Sequence, residues 1–271
     1  MDNSSKIGNK AEKLLFLKKE GFNVPDLFVL PKHLSEKEVL KNCDENQIYA
    51  VRSSCISEDS ESKSFAGYFY SEIGVSYKNI YKAYQKVINS FNNEEGAVII
   101  QEFIPSDKSG VIFTDDGSSN IVINSNFGVC KTVVEGWECD ELLVSKKGII
   151  LNREFPKLKE SLIWKDKKLI KNKENQFSLN SKEINKLIKK CQEIESIMNG
   201  PQDIEWCFYK EKLYILQSRP ITALIDDPKN WIYYDSANIA ESYSGQISPL
   251  TISFATHIYE EVYKQLIINS G

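Results

Sequence analysis

Residues Gln202–Pro220 read QDIEWCFYKEKLYILQSRP. Two alternating runs flank a short charged stretch, so the segment is a β-hairpin. Asp203 and Glu205 share one strand face, and Gln217 and Arg219 share one on the return strand. Whether these pairs face the same way depends on the connection. A two-residue turn at Lys210-Glu211 pairs Glu205 with Leu216 and sends Gln217 to the opposite side. A three-residue loop, Lys210-Glu211-Lys212, pairs Glu205 with Gln217 and Asp203 with Arg219. The second register separates polar from apolar, leaving Ile204, Trp206, Phe208, Tyr214 and Leu216 on one face, and it is adopted for that reason. The loop has no glycine, which three-residue connections usually want.

In this register four hydrophilic groups gather at the open end of the hairpin. Carboxylate and amide oxygens suit Mg²⁺, and a guanidinium fork suits phosphate oxygens. A plainer reading is a surface Asp203–Arg219 cross-strand pair with Glu205 solvated, worth about 0.2–1 kcal/mol. The hairpin alone leaves both readings open.

Working outward, the clearest helix is 181–199, with Asn180 and Glu183 as a capping box and Gly200 closing it. A first helix is expected near 8–20, ended by Gly21, and another over 76–92. Strands are expected at 27–30, 48–51, 97–103, 110–114 and 120–127, with two or three more to about 170. The Lys/Asn-rich stretch 165–176 reads as a surface connection, and Ser53–Ser64 as a loop. After Thr222 the chain turns polar and proline-bearing, and the last 45 or so residues are too few for a core of their own. Domains are therefore expected at 1–222 and 223–271, the latter a linker and the truncated start of a following domain. The class is α+β (mixed α/β), with helices interleaved among antiparallel strands.

Of the 271 residues, 41% are hydrophobic and 27% charged, as in a soluble globular protein. The net charge of -4 argues against nucleic acid as a partner. Neither a membrane span nor a secretory leader is expected. The six scattered cysteines form no CxxC pair, which fits reduced thiols in the cytoplasm.

Other segments carry hints of anion binding. "AVRSS" (50–54) ends a buried strand in Arg52 and two serines, and a charge there needs a partner. "SFAGYF" (64–69) offers small residues whose backbone N–H groups can approach an anion. Lys10 lies near a helix N-terminus, where anions are favoured.

Together these segments resemble the N-terminal nucleotide-binding domain of the phosphoenolpyruvate synthase and pyruvate phosphate dikinase family, which includes rifampicin phosphotransferases. The resemblance runs over about residues 7–222, through "IGNKAEKL", "YAVRSSCISEDSESKSFAGYF", "AVIIQEFI", "INSNFGVCKTVVEGWECDELLV" and the hairpin. It implies an ATP-grasp-like, two-lobed domain with antiparallel sheets that binds ATP and Mg²⁺. Lys10, Arg52 and Arg219 would be the catalytic cations on phosphate. The backbone from Ser64 through Ala66 to Gly67 would form a phosphate lid. Gln101, Glu102 and Phe103 would line the adenine slot, edge to backbone. Glu205 and Gln217 would hold Mg²⁺, and Asp203 would orient the others.

The resemblance further implies a phosphotransferase that passes phosphate from ATP through a histidine on a separate domain to pyruvate or another small acceptor, releasing AMP. Neither His33 nor His257 has the glycine-flanked setting of that histidine. The phosphohistidine domain is thus expected elsewhere, in cis or in trans. Asn9, Ala11, Asn124, Cys130 and Lys131 depart from the pattern, and Asn9, Asn124, Cys130 and Lys131 motivate an alternative, a nucleotide-sensing or regulatory module without catalysis. A different ATP-grasp ligase, releasing ADP, is a third reading.

Overall fold

The computed structural model of the chain describes residues 7–55, 70–91 and 94–221. Met1–Asp226 is one compact unit, and Asp227–Gly271, a second, lies outside the described residues. In chain order the elements are α1 (Asn9–Lys19), β1 (Leu27–Leu30), α2 (Glu36–Leu40), β2 (Ile48–Cys55), β3 (Ser71–Ser76), α3 (Ile80–Ser90), β4 (Gly96–Glu102), β5 (Lys108–Phe113) and β6 (Asn120–Phe127). They continue with α4 (Lys131–Val134), β7 (Asp140–Ser145), β8 (Ile150–Glu154), β9 (Lys159–Lys165), β10 (Lys168–Glu174), α5 (Ser181–Ile197), β11 (Gln202–Tyr209) and β12 (Lys212–Pro220).

Two sheets, each with its own helices, make two lobes. The first has the order β1-β4-β2-β3 and the second β12-β11-β5-β6-β7-β8, all antiparallel. The architecture is therefore α+β, as expected. The helices cover the sheets because their apolar residues recur at helical spacing. Ile80, Ala83, Tyr84 and Val87 of α3 fill the core behind the first sheet. Ile184, Leu187, Ile188, Cys191 and Ile194 of α5 fill the core of the second, and both halves of the Asn180/Glu183 capping box form. β4 is buried on both faces: Val98 and Ile100 enter the first core and Ile99 the second. That is why its sequence is an unbroken apolar run rather than an alternation.

The start of α1 is fixed by β2. Gly8, the N-cap, has no side chain to cap with, and the buried Ala11 N–H donates to Ser54 Oγ at 3.0 Å instead. A side chain at Gly8 is barred, since a Cβ there would lie 2.4 Å from the Ser54 carbonyl oxygen. Ser54→Ala removes this cap and is expected to lower the unfolding free energy by about 1 kcal/mol, read from the urea midpoint.

Several expectations are corrected. The Lys/Asn-rich stretch is not a connection but mostly β10, joined to β9 by an Asp166-Lys167 turn with φ of 51° and 59°. Four strands, not two or three, follow β6 before α5. β2 continues through Arg52 to Cys55, so Ser53–Cys55 are strand rather than loop. The helix expected from 76 begins as a 3₁₀ turn, Tyr77–Asn79, preceded by β3, and α2 was not anticipated. Among the described residues, no helix is long and apolar enough to cross a membrane.

Candidate functional site

The hairpin register settles which hydrophilic side chains stand together. Asp203 pairs with Arg219 and Glu205 with Gln217, as expected, but by a different route. The turn has two residues, Lys210 and Glu211, both with positive φ (48° and 62°). A β-bulge next to the Glu205–Gln217 pair then absorbs one extra residue of β12 and restores the register. Two tertiary contacts hold this glycine-free turn: Asp107 Oδ2 accepts the Lys210 N–H at 2.8 Å, and Lys186 Nζ donates to the Glu211 carbonyl at 2.8 Å. Consequently Leu213 and Ile215, not Tyr214 and Leu216, join Ile204, Trp206 and Phe208 in the core.

Leu216 instead lines a cleft between the lobes. Its walls are Ala50, Arg52 and Ile73, then Gln101–Ile104, on the first sheet's side, with Val129–Lys131 and Leu216 opposite. Its empty volume is about 380 Å³ including the open mouth. Arg52, a wall residue, donates from Nη1 to Glu205 Oε2 at 3.2 Å, joining residues 153 positions apart. Both side chains are mostly buried, at 14% and 16% exposure, and Arg52 Nε has no hydrogen-bond partner. A second pair closes the hairpin end: Arg219 Nε and Nη2 both lie 2.6 Å from Asp203 Oδ2. Burial pushes the Asp203 carboxyl pKa up, against the opposing pull of Arg219.

Gln101 is buried with its Nε2 donor unpartnered. The backbone N–H groups of Glu102 and Phe103 are taken by the Asp26 and Ile48 carbonyls at 2.7 and 2.9 Å. An edge-to-backbone contact at this slot would thus use groups other than those two donors. The Lys10 backbone sits beside the end of β2 that carries Arg52, because α1 is capped there by Ser54. Ser64, Ala66 and Gly67 lie outside the described residues, as does His257. His33 is exposed in the bend after β1.

The donor set fits a divalent ion shared with phosphates. Glu205 and Gln217 are register partners, and Asn124 Oδ1, across Val111 on the same row, is a buried oxygen without a partner. Oxygen donors few in number suit Mg²⁺, which keeps several waters and phosphate ligands. Among the described residues, no three His, Cys, Asp or Glu side chains cluster to hold a metal. Cleft residues that sequence reasoning did not place include Ile73, Leu216 and the Cys130 thiol, which donates to the Gly110 carbonyl at 3.3 Å. Burial drives that thiol's pKa well up.

The sequence matches the family model described as pyruvate phosphate dikinase, AMP/ATP-binding domain, over residues 30–97 and 92–234. A probable phosphoenolpyruvate synthase of Archaeoglobus fulgidus is 32% identical over 225 residues, which cover 70% of this chain and 29% of that protein. A rifampicin phosphotransferase of Bacillus cereus is 28% identical over 247 residues, covering 79% of this chain and 28% of that protein. The chain thus spans less than a third of the length of these relatives. Among solved structures, D-alanine–D-alanine ligase of Bacillus anthracis is a loose likeness, with TM-score 0.46 at 12% identity over 80% of this chain and 57% of that one.

Proposed function

This chain belongs to the family of pyruvate phosphate dikinase AMP/ATP-binding domains, and from that premise we propose that its interlobe cleft binds Mg·ATP as the nucleotide half of a dikinase-type phosphotransferase. The observation that carries the reading is the Arg52–Glu205 contact, in which a cation of the cleft wall on one sheet meets a carboxylate of the other sheet. In this reading residues 1–222 are the nucleotide domain and 223–271 lead into the next.

Phosphoryl transfer needs positioning and charge neutralisation more than covalent help from the protein. Arg52 exchanges its carboxylate partner for phosphate oxygens, which leaves Glu205 and Gln217 to hold Mg²⁺. The bound ion supplies further neutralisation of phosphate charge. Lys10, at the positive end of α1, and Arg219, steadied by Asp203, complete the grip. The purine lies along Gln101–Phe103, with the unpartnered Gln101 Nε2 as a donor. A histidine on a domain supplied in cis or in trans then attacks the β-phosphorus of ATP and takes the pyrophosphoryl group with AMP as leaving group; water removes the terminal phosphoryl as orthophosphate, and the phosphoryl left on the histidine passes to a small acceptor.

Calorimetric titration with Mg·ATP tests this. Glu205→Ala and Arg219→Ala are each expected to weaken binding by about tenfold or more, since hydrogen bonds to charged groups contribute about 1.5–3 kcal/mol. An unaltered chain that takes up no ATP at millimolar concentration rules the reading out. A second reading, a nucleotide sensor, is favoured by the amide at Asn124 in a row that otherwise offers only Glu205 as a carboxylate ligand beside Gln217. It predicts ATP binding without AMP formation when a competent phosphohistidine domain is added, and ADP as product would instead indicate ligase chemistry.

A further inference from the structure

The β9–β10 hairpin belongs to neither large sheet, yet it touches both lobes. On the second lobe Gly128 bridges Leu162, and the Val129 N–H donates to the Leu162 carbonyl at 2.8 Å. A Cβ at Gly128, where φ is +73°, would lie 2.0 Å from that carbonyl oxygen, so the approach is backbone against backbone. On the first lobe the Trp164 ring lies against Gly74, also at φ +73°, where a Cβ would be 2.7 Å from Cζ3. The same ring meets Phe103 edge-on, with centroids 4.8 Å apart and planes at 62°. Both glycines are thus needed for the hairpin to seat, on steric and conformational grounds alike.

The chain neighbours of these contacts line the cleft: Ile73 beside Gly74, Val129 beside Gly128, and Phe103 itself. Trp164 does not line the cleft; it meets Phe103, which does, and Gly74, the chain neighbour of Ile73, which also does. We propose that the β9–β10 hairpin is a strap that sets the purine-binding wall, with Trp164 as the positioning residue that holds Phe103 in place. An aromatic edge-to-face contact fixes the angle of the partner ring as well as its depth, which an aliphatic contact does not. The inference rests on the reading of the cleft as an ATP site, and it places the strap's effect on the base rather than on the phosphates, whose cations lie on β2, α1 and β12.

The test titrates the full chain with Mg·ATP and, separately, with Mg·tripolyphosphate, which lacks the base. Trp164→Ala is expected to weaken ATP by about tenfold while leaving tripolyphosphate within about twofold, and Trp164→Phe to stay within about threefold for both. Equal weakening of the two ligands would mean a merely structural role and overturn the inference, as would an unchanged ATP affinity. If Trp164→Ala does not fold, Trp164→Leu keeps apolar bulk without the ring edge and must show the same split. An unaltered chain that binds neither ligand sinks the ATP reading and the strap together; one that binds both, with no split in the variants, sinks the strap alone.

Discussion

Arg52→Ala is expected to reduce Mg·ATP affinity by about 100-fold or more, a loss of about 3 kcal/mol. Two effects are expected. The fork that would bind phosphate oxygens disappears, which weakens the ligand, and Glu205, only 16% exposed, loses its partner, which weakens the fold. Arg52→Lys separates these. It keeps the charge near Glu205 but loses the planar fork, so an intermediate loss of about tenfold is expected. Adding Glu205→Gln to Arg52→Ala removes the stranded charge and should recover fold stability without recovering ATP binding. Calorimetry for the ligand and urea unfolding for the fold read the two effects apart. An Arg52→Ala chain that binds Mg·ATP within about twofold of the unaltered chain would remove Arg52 from the site and the cleft reading with it.

The largest stability effect is expected at Lys159. Its ammonium and the Asp140 carboxylate are both fully buried and paired, and Asp140 Oδ2 also accepts the Ser178 N–H at 2.6 Å. The pair ties the start of β9, where the strap begins, to the start of β7. Lys159→Met leaves an unpaired carboxylate in the interior, and a cost of about 3–5 kcal/mol is expected. Adding Asp140→Asn removes the charge but keeps an acceptor for Ser178, so the double variant should regain at least half of the loss. Urea unfolding gives both numbers. A Lys159→Met chain destabilised by less than about 1 kcal/mol would show that the pair contributes little net stability, because desolvation already cancels its attraction.

Much of the fold could be read along the chain because local chemistry and burial agreed. α5 carries its cap, its apolar stripe and its terminator within its own residues, and it formed within two residues of the expected end. β10 was missed because its turn, Asp166-Lys167, holds left-handed backbone without glycine, and its strand residues are charged on an exposed sheet. β3 was missed because its one fully buried residue, Val75, gives no alternation to detect.

Alternation along each strand of Gln202–Pro220 determined that Asp203 and Glu205 point one way and that Gln217 and Arg219 point together, because successive side chains must leave opposite faces. The tertiary structure alone decided how those faces were matched. A period of two carries no mark for an inserted residue, so the bulge that sends Leu216 to the cleft and Ile215 to the core came from packing against Trp206 and Phe208. It came also from Asp107 and Lys186 holding a turn that lacks glycine. The meeting of Arg52 with Glu205 belongs to the same level, because a contact across 153 residues exists only once two separate cores have set their sheets face to face.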